Sequence, residues 1–316
     1  MADPAETFQA GFERRFGDLR QPHVRALAWL LDAPDLLDPD DPHWQGRIAS
    51  LGPLPPATIS WLRALDADPA PLLAELGTRV YTRLGLYAEK LMAFYYRQHG
   101  MLVAHGLQVR AARNDTVGEF DFLLDAGPAA LEHIEFATKF YLLEGAAGER
   151  LDGFVGPNLA DSLGAKMRKI FERQLALGQH PAAQAVLPRP VVQARALVKG
   201  WLFYPAGGSP AAGAISAAHC RGFWCPLADI AALGIDQFVV LPRLQWLAPF
   251  QGSAPPCNAE QLHTTLAQQF ATLPMPVLVA AVRPQGEALV ETGRGFIVPD
   301  DWRARAAFRQ RMVQPA

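Results

Sequence analysis

The chain is poor in cysteine. Cys220, Cys225 and Cys257 are the only three in 316 residues. An odd, low count in a chain this size argues against a disulfide scaffold and favours a reducing compartment. The spacing in HCRGFWC, with His219 beside the first cysteine and Cys257 far downstream, fits no strong zinc pattern. Buried thiols are the expectation. Charge of one sign is lacking too: 29 Lys and Arg stand against 31 Asp and Glu. Such a surface is not positive all over, although a local basic groove needs no net charge. There is no long hydrophobic run. The longest aliphatic stretch, near Pro276–Val282, is far too short to span a bilayer. Met1 is followed by Asp3 and Glu6, not by a basic start and an apolar signal core. These absences lead us to expect a soluble cytoplasmic protein with no membrane association. There is no phosphate-binding G-x-x-x-x-G-K-[ST] loop, no serine-centred elbow and no repeat.

What is present is enough apolar residue for a sizeable core, and enough length for roughly two domains. Residues 1–76 read as short helices broken by prolines. In HVRALAWLLDAP, Val24, Leu27, Leu30 and Leu31 share a helical face, and Pro34 and Pro39 end it. A helix restarts at about Pro56. No chemistry is visible here, and a packing or partner-binding module is expected. From about 77 the character changes. GTRVYTRLGLYAEKLMAFYYRQHG reads as one long helix with Val80, Leu84, Leu91 and Tyr95 on one face and Gly100 as its stop. A strand, MLVAHGLQVRAARN, turns near Asn114. Two more strands, VGEFDFLL and IEFATKFYL, lead to a glycine-rich loop. ADSLGAKMRKIFERQLALG is a second amphipathic helix, capped by Asn158 or Asp161. VVQARALVKGWLFYP is a further strand. Hairpins followed by a crossover predict a mixed α/β sheet with helices packed on it. Residues 206–316 add three strands (DQFVVLPRLQWL, PVLVAAVRP, GRGFIVP) and one helix (NAEQLHTTLAQQFATL). Arg294, Trp246 and Trp302 could stack on or contact nucleic acid or could equally be core, and the core reading is favoured.

The two middle strands carry charge among apolar residues. Residues two apart in a strand share a face. Glu119 and Asp121 therefore share one face, with Phe120, Phe122 and Leu124 on the other. Glu135, Ala137, Lys139 and Tyr141 share a face, with Ile134, Phe136, Phe140 and Leu142 opposite. Such charged faces either meet solvent or line a cleft. In a cleft the carboxylates need a partner, and a divalent cation suits converging Asp and Glu oxygens.

The order helix, three strands, helix, strand resembles the PD-(D/E)XK nuclease-like superfamily. LGLYAEKLMAFYYRQHG resembles its first helix, with Glu89 in the glutamate position. GEFDFL resembles its second-strand motif, with Asp121 as metal ligand. IEFATKF stands where the third strand supplies an acid and a lysine, and ADSLGAKMRKIFERQLAL where the second helix falls. The chain as a whole also resembles a bacterial family of unknown function grouped with that superfamily. The resemblance implies a restriction-endonuclease-like core at 77–205, between a helical N-terminal module (1–76) and a C-terminal α/β extension (206–316). It further implies Mg²⁺- or Mn²⁺-dependent hydrolysis of DNA or RNA. Asp121, Glu135 and Glu89 would hold the ion, and Lys139 would act on water or phosphate.

The third strand departs from the family pattern. Either the acid has moved one strand period upstream or Ala137 has replaced the lysine, and Glu135 and Lys139 are four residues apart, roughly 13 Å along an extended strand. A bulge could bring them together, or Lys166 or Lys169 of the second helix could substitute. The third outcome is a site that only binds: a catalytically inactive nuclease-fold protein that takes nucleic acid or a protein partner. On the second helix, Leu163, Met167, Ile170, Gln174 and Leu177 form one face. Lys166, Lys169 and Arg173, joined by Arg168, form a basic stripe suited to phosphate contact. Gln174 on the apolar face either reaches into the site or serves the backbone. His99 and His105 read as ordinary, and His133 as a surface residue.

Overall fold

The computed structural model describes residues 6–78, 80–112, 115–144, 151–208 and 213–313. Five helices come first: α1 (Phe8–Phe16), α2 (Pro22–Asp32), α3 (Pro56–Ala67), α4 (Ala70–Leu76) and α5 (Leu84–Gln98). Strands β1 (Leu102–Ala112), β2 (Asp115–Asp125), β3 (Leu131–Leu143) and the short β4 (Phe154–Val155) follow. Next come α6 (Leu163–Lys169), α7 (Pro181–Gln184), β5 (Val191–Pro205), β6 (Cys220–Pro226), β7 (Phe238–Val240) and β8 (Gln251–Gly252). The chain closes with α8 (Ala259–Thr272), β9 (Val277–Gln285), β10 (Ala288–Val298) and α9 (Trp302–Val313).

The protein is α/β, with a single large mixed sheet in the order β1-β2-β3-β5-β6-β10-β9-β7. The hairpins β1/β2 and β2/β3 are antiparallel, whereas β3/β5, β5/β6 and β6/β10 are parallel. A parallel pair needs a crossover, and the segment carrying α6 and α7 supplies it between β3 and β5. Strand β5 is buried continuously from Ala196 to Tyr204, as a central strand covered on both faces must be. Gly200 lies in that run because any Cβ there would sit 2.0 Å from the Lys139 carbonyl oxygen. The strands of the C-terminal part extend the same sheet across residue 205. The N-terminal helices join the main core: Val24, Leu27, Leu30 and Leu31 are all buried there, with Trp201 of β5 and Phe296 of β10.

Several expectations need correction. The long helix does not begin near 77. Gly77, at φ +65°, ends α4, and Val80 is exposed. α5 starts only at Leu84 and stops at Gln98, just before Gly100. The expected turn at Asn114 lies outside the described residues, as do 145–150 of the glycine-rich loop and 209–212 of the stretch after β5. Strand β6, CRGFWCP, was not anticipated, because its short span reads as a cysteine cluster. Cys220 and Cys225 are buried and free in it. Arg294 and Trp302 are core residues, as expected. Among the described residues, no helix is long and apolar enough to cross a membrane.

Candidate functional site

The site forms where two strands part. β2 and β3 pair from Phe122↔Ile134 to Asp125↔Leu131, and the register goes no further. The Phe136 N–H, left without a strand partner, donates to Asp121 Oδ2 at 2.9 Å. Asp121 thus stands at the fork, its carboxylate replacing a rung of the ladder.

Strand alternation breaks at the same point. Phe122, Leu124, Ile134 and Phe136 pack in the main core under α5. Phe120 does not join them; it packs with Leu123, Leu131 and Leu177 on the other face. The expected grouping of Phe120 with Phe122 is therefore wrong. The change falls opposite Gly106 of β1, which adopts φ +64° between the pairs His105↔Phe122 and Leu107↔Phe120, a backbone that favours glycine. Along this stretch acidic groups of β2 meet α5. Oxygens of Glu89, Glu119 and Asp121 all lie within 4.8 Å of one another. Glu89 is held from behind, its Oε1 2.7 Å from His105 Nε2, while the His105 ring stacks on Phe122.

Glu135 belongs to no such convergent group among the described residues. It is 2% exposed and sits on the face of β3 that meets the crossover. Its Oε1 accepts from the Gln174 amide, Lys166 Nζ is 4.0 Å away, and its Oε2 has no hydrogen-bond partner among the described residues. His133 Nε2 is 3.9 Å from that Oε2. His133 is fully buried, not on the surface as expected, and both its ring nitrogens are unpartnered among the described residues. Lys139 follows on the same face, with no hydrogen bond or ion pair among the described residues.

Burial sets the protonation of this cluster. It pushes the Asp121 carboxyl up, partly offset by the Phe136 N–H and reinforced by Glu89. Burial pushes Glu135 up as well, and the Asp121 charge adds to it. The two carboxyls thus keep protons above the usual carboxylate range. Lys139 is lowered, first by burial and then by the neighbouring Lys166 charge. His133 is lowered to about 4 by burial.

The crossover helix explains how Lys166 and Gln174 meet Glu135 together. Ser162, not Asn158 or Asp161, caps α6, its Oγ accepting from Ala165 N–H at 3.2 Å. Asp161 instead accepts from the Tyr141 hydroxyl at 2.9 Å. After α6 the chain widens into a π-helical turn, Ile170–Gln174. In a regular α-helix, residues eight apart are about 80° out of phase. A π turn absorbs about one extra residue, which brings Gln174 nearly into line with Lys166. Lys166 Nζ donates to Gln174 Oε1 at 3.2 Å. Gln174 therefore leaves the apolar face, where α-helical periodicity put it, and joins the lysine. Leu163, Met167, Ile170 and Leu177 remain buried, while Lys169 and Arg173 face solvent.

Glu119, His105 and the orphaned His133 are the members of this cluster that the sequence reading did not assign. Only Glu119 carried a signal, as the acid sharing a face with Asp121.

The fold and this cluster together define an α/β protein with carboxylates and lysines gathered at a strand fork. Residues 25–298 match the family described as Domain of unknown function (DUF1853), and the chain belongs to that family. No curated protein and no solved structure matches the chain.

Proposed function

We propose that this protein is a divalent-metal-dependent phosphodiesterase acting on DNA or RNA, built on a restriction-endonuclease-like core of the PD-(D/E)XK kind. The observation that carries the reading is the convergence of Glu89, Glu119 and Asp121 at the fork, within 4.8 Å. The donors are all carboxylate oxygens, which suits Mg²⁺ or Mn²⁺ rather than a soft metal. The buried, unpartnered Glu135 Oε2 beside them is a second sign of unmet charge. Glu89, Glu119 and Asp121 would hold the ion, with Glu135 adjoining. When bound, the ion would activate water and neutralise charge on the phosphate.

The remaining roles belong to this chain. His105 keeps the Glu89 carboxylate aimed at the fork. Lys139 and Lys166 offer cations to a scissile phosphate. Lys166 answers the broken third-strand pattern: a lysine of the second helix stands 4.0 Å from the acid of the third strand. Gln174 holds Glu135 in place, and the exposed Lys169 and Arg173 extend the basic stripe along the substrate backbone.

The test is calorimetric titration of Mn²⁺ into the wild type and Asp121→Ala, followed by cleavage assays on single- and double-stranded DNA and RNA. Binding and cleavage in the wild type that vanish in the variant are expected. Saturable binding without cleavage of any substrate would favour the second reading, a nuclease-fold protein that only binds nucleic acid or a protein. What favours that reading is the Gln174 clamp on a Glu135 that keeps its proton. Absence of Mn²⁺ binding with no cleavage would overturn the first.

A further inference from the structure

On another side of the same crossover helix lies a cavity of about 690 Å³. That size is within the roughly 300–1,000 Å³ of small-molecule sites. Lys166 and Gln174 point away toward Glu135, whereas Met167 and Phe171 line the cavity, opposed by Trp44, Arg47 and Ile215. The walls combine apolar surface with one exceptional cation. The Arg47 guanidinium lies 4.6 Å over the Phe171 ring, and Phe171 stacks on Trp44 at 5.2 Å and 19°. Stacking fixes the plane of the guanidinium but uses none of its N–H groups. Its Nε is buried without a hydrogen-bond partner, and the group makes no ion pair among the described residues. Arg168, the other arginine of the cavity, is different: Asp152 takes both its NH groups, at 2.9 and 3.0 Å.

A planar cation with its donors unmet is matched by a bidentate anion, carboxylate or phosphate. The adjoining apolar and aromatic walls call for a flat body attached to that anion. Glu172 at the rim adds an acceptor suited to an exocyclic amine. We propose that this cavity binds a nucleotide, its phosphate on Arg47 and its base against the half-buried Phe171 ring, which the buried Trp44 backs. The site uses none of the fork carboxylates and does not rest on the phosphodiesterase reading.

The experiment is calorimetry on the full chain with adenosine 5′-monophosphate, with EDTA present so that the fork contributes nothing. A parallel arm uses a short 5′-phosphorylated oligonucleotide. Binding of the mononucleotide identifies a free nucleotide as the ligand. Binding of the oligonucleotide alone identifies the phosphorylated end of a strand. In either case Arg47→Met is expected to weaken binding by roughly tenfold or more, and adenosine or inorganic phosphate alone to bind less tightly. If Arg47→Met does not fold, Arg47→Lys decides, since it keeps the charge but loses the fork and should also bind weakly. Failure of both probes to bind the wild type, or unchanged binding in the folded Arg47 variant, overturns the proposal.

Discussion

Two of the places where this protein buries charge treat it in opposite ways. Under β10, Arg294 and Glu291 are both essentially inaccessible. Arg294 stacks on Trp201 at 4.2 Å, and its Nε and one NH2 group each donate to Glu291 at 2.7 Å. Its remaining donors go to the carbonyls of Trp246, Leu247 and Ala248. Glu291 also accepts from the Phe250 N–H at 2.8 Å and from Gln9 at 3.4 Å. Every group is answered, and α1 is tied to β10. At the fork of β2 and β3, Glu135 Oε2 and both nitrogens of His133 are buried with no hydrogen-bond partner among the described residues. Full satisfaction fits a structural pair, whereas the shortfall at the fork is what the proposed ion would answer.

The contrast can be broken most severely at the structural pair. Arg294→Met leaves Glu291 buried and uncompensated, and should cost about 3–5 kcal/mol in denaturant unfolding. A cost near zero would mean that the two sites do not differ as described. At the fork the largest effect should come from adding a cation. Mn²⁺ at about a hundred times its Kd should raise stability by about 2.7 kcal/mol. Asp121→Ala should abolish that gain while leaving the Arg294 region untouched. Because binding displaces protons from raised carboxyls, Mn²⁺ affinity should climb with pH.

A smaller effect sharpens the contrast without any ligand. Asp121 and Glu135 are raised in the folded state, so that state binds protons more tightly than the unfolded chain. Apo stability should therefore fall as pH rises from the ordinary carboxylate range, about 4, through their raised values. Glu135→Gln keeps the shape and removes the charge. It should raise the unfolding free energy by about 1 kcal/mol at pH 8 and do little at pH 4, measured by denaturant titration. A variant less stable than the wild type at pH 8 would contradict the raised Glu135. Smallest of all, Lys139→Met should change stability by less than about 1 kcal/mol. Its consequence should appear instead as weaker binding of a nucleic-acid backbone and a shallower salt dependence, measured by titration at several salt concentrations.

The sequence made the elements around the fork legible because their signals are local. Apolar period two marked β2 and β3, and period 3.6 marked α2 and α8. VVQARALVKGWLFYP was legible as a strand, but its central place in the sheet was not. Asp121 and Glu89 could be named from their settings in GEFDFL and in the first helix. What stayed hidden depended on backbone conformation or on distant partners. Phe120 packs on the other face from Phe122, and nothing in GEFDFL foretells it. His133 looks like a polar strand residue, yet the hydrophobic cluster around Phe120 and Leu131 encloses it. Glu119 gained its place from its approach to Glu89 of α5. Gln174 was conspicuous as a polar residue on an apolar stripe, but its direction depended on a turn of abnormal width.

That turn works as a length buffer of one residue. Removing one residue between Ile170 and Gln174 should let the helix recover its ordinary pitch and leave the glutamine seven positions after Lys166, only about 20° out of line, so the clamp on Glu135 should survive. Removing two should swing it by about 100° more. Glu135 would then lose its clamp, and Lys166 its hydrogen-bonded neighbour, although every acid and lysine of the cluster would remain. Chains of related sequence one residue shorter here should hold the same fork through a regular helix, whereas chains two residues shorter should not.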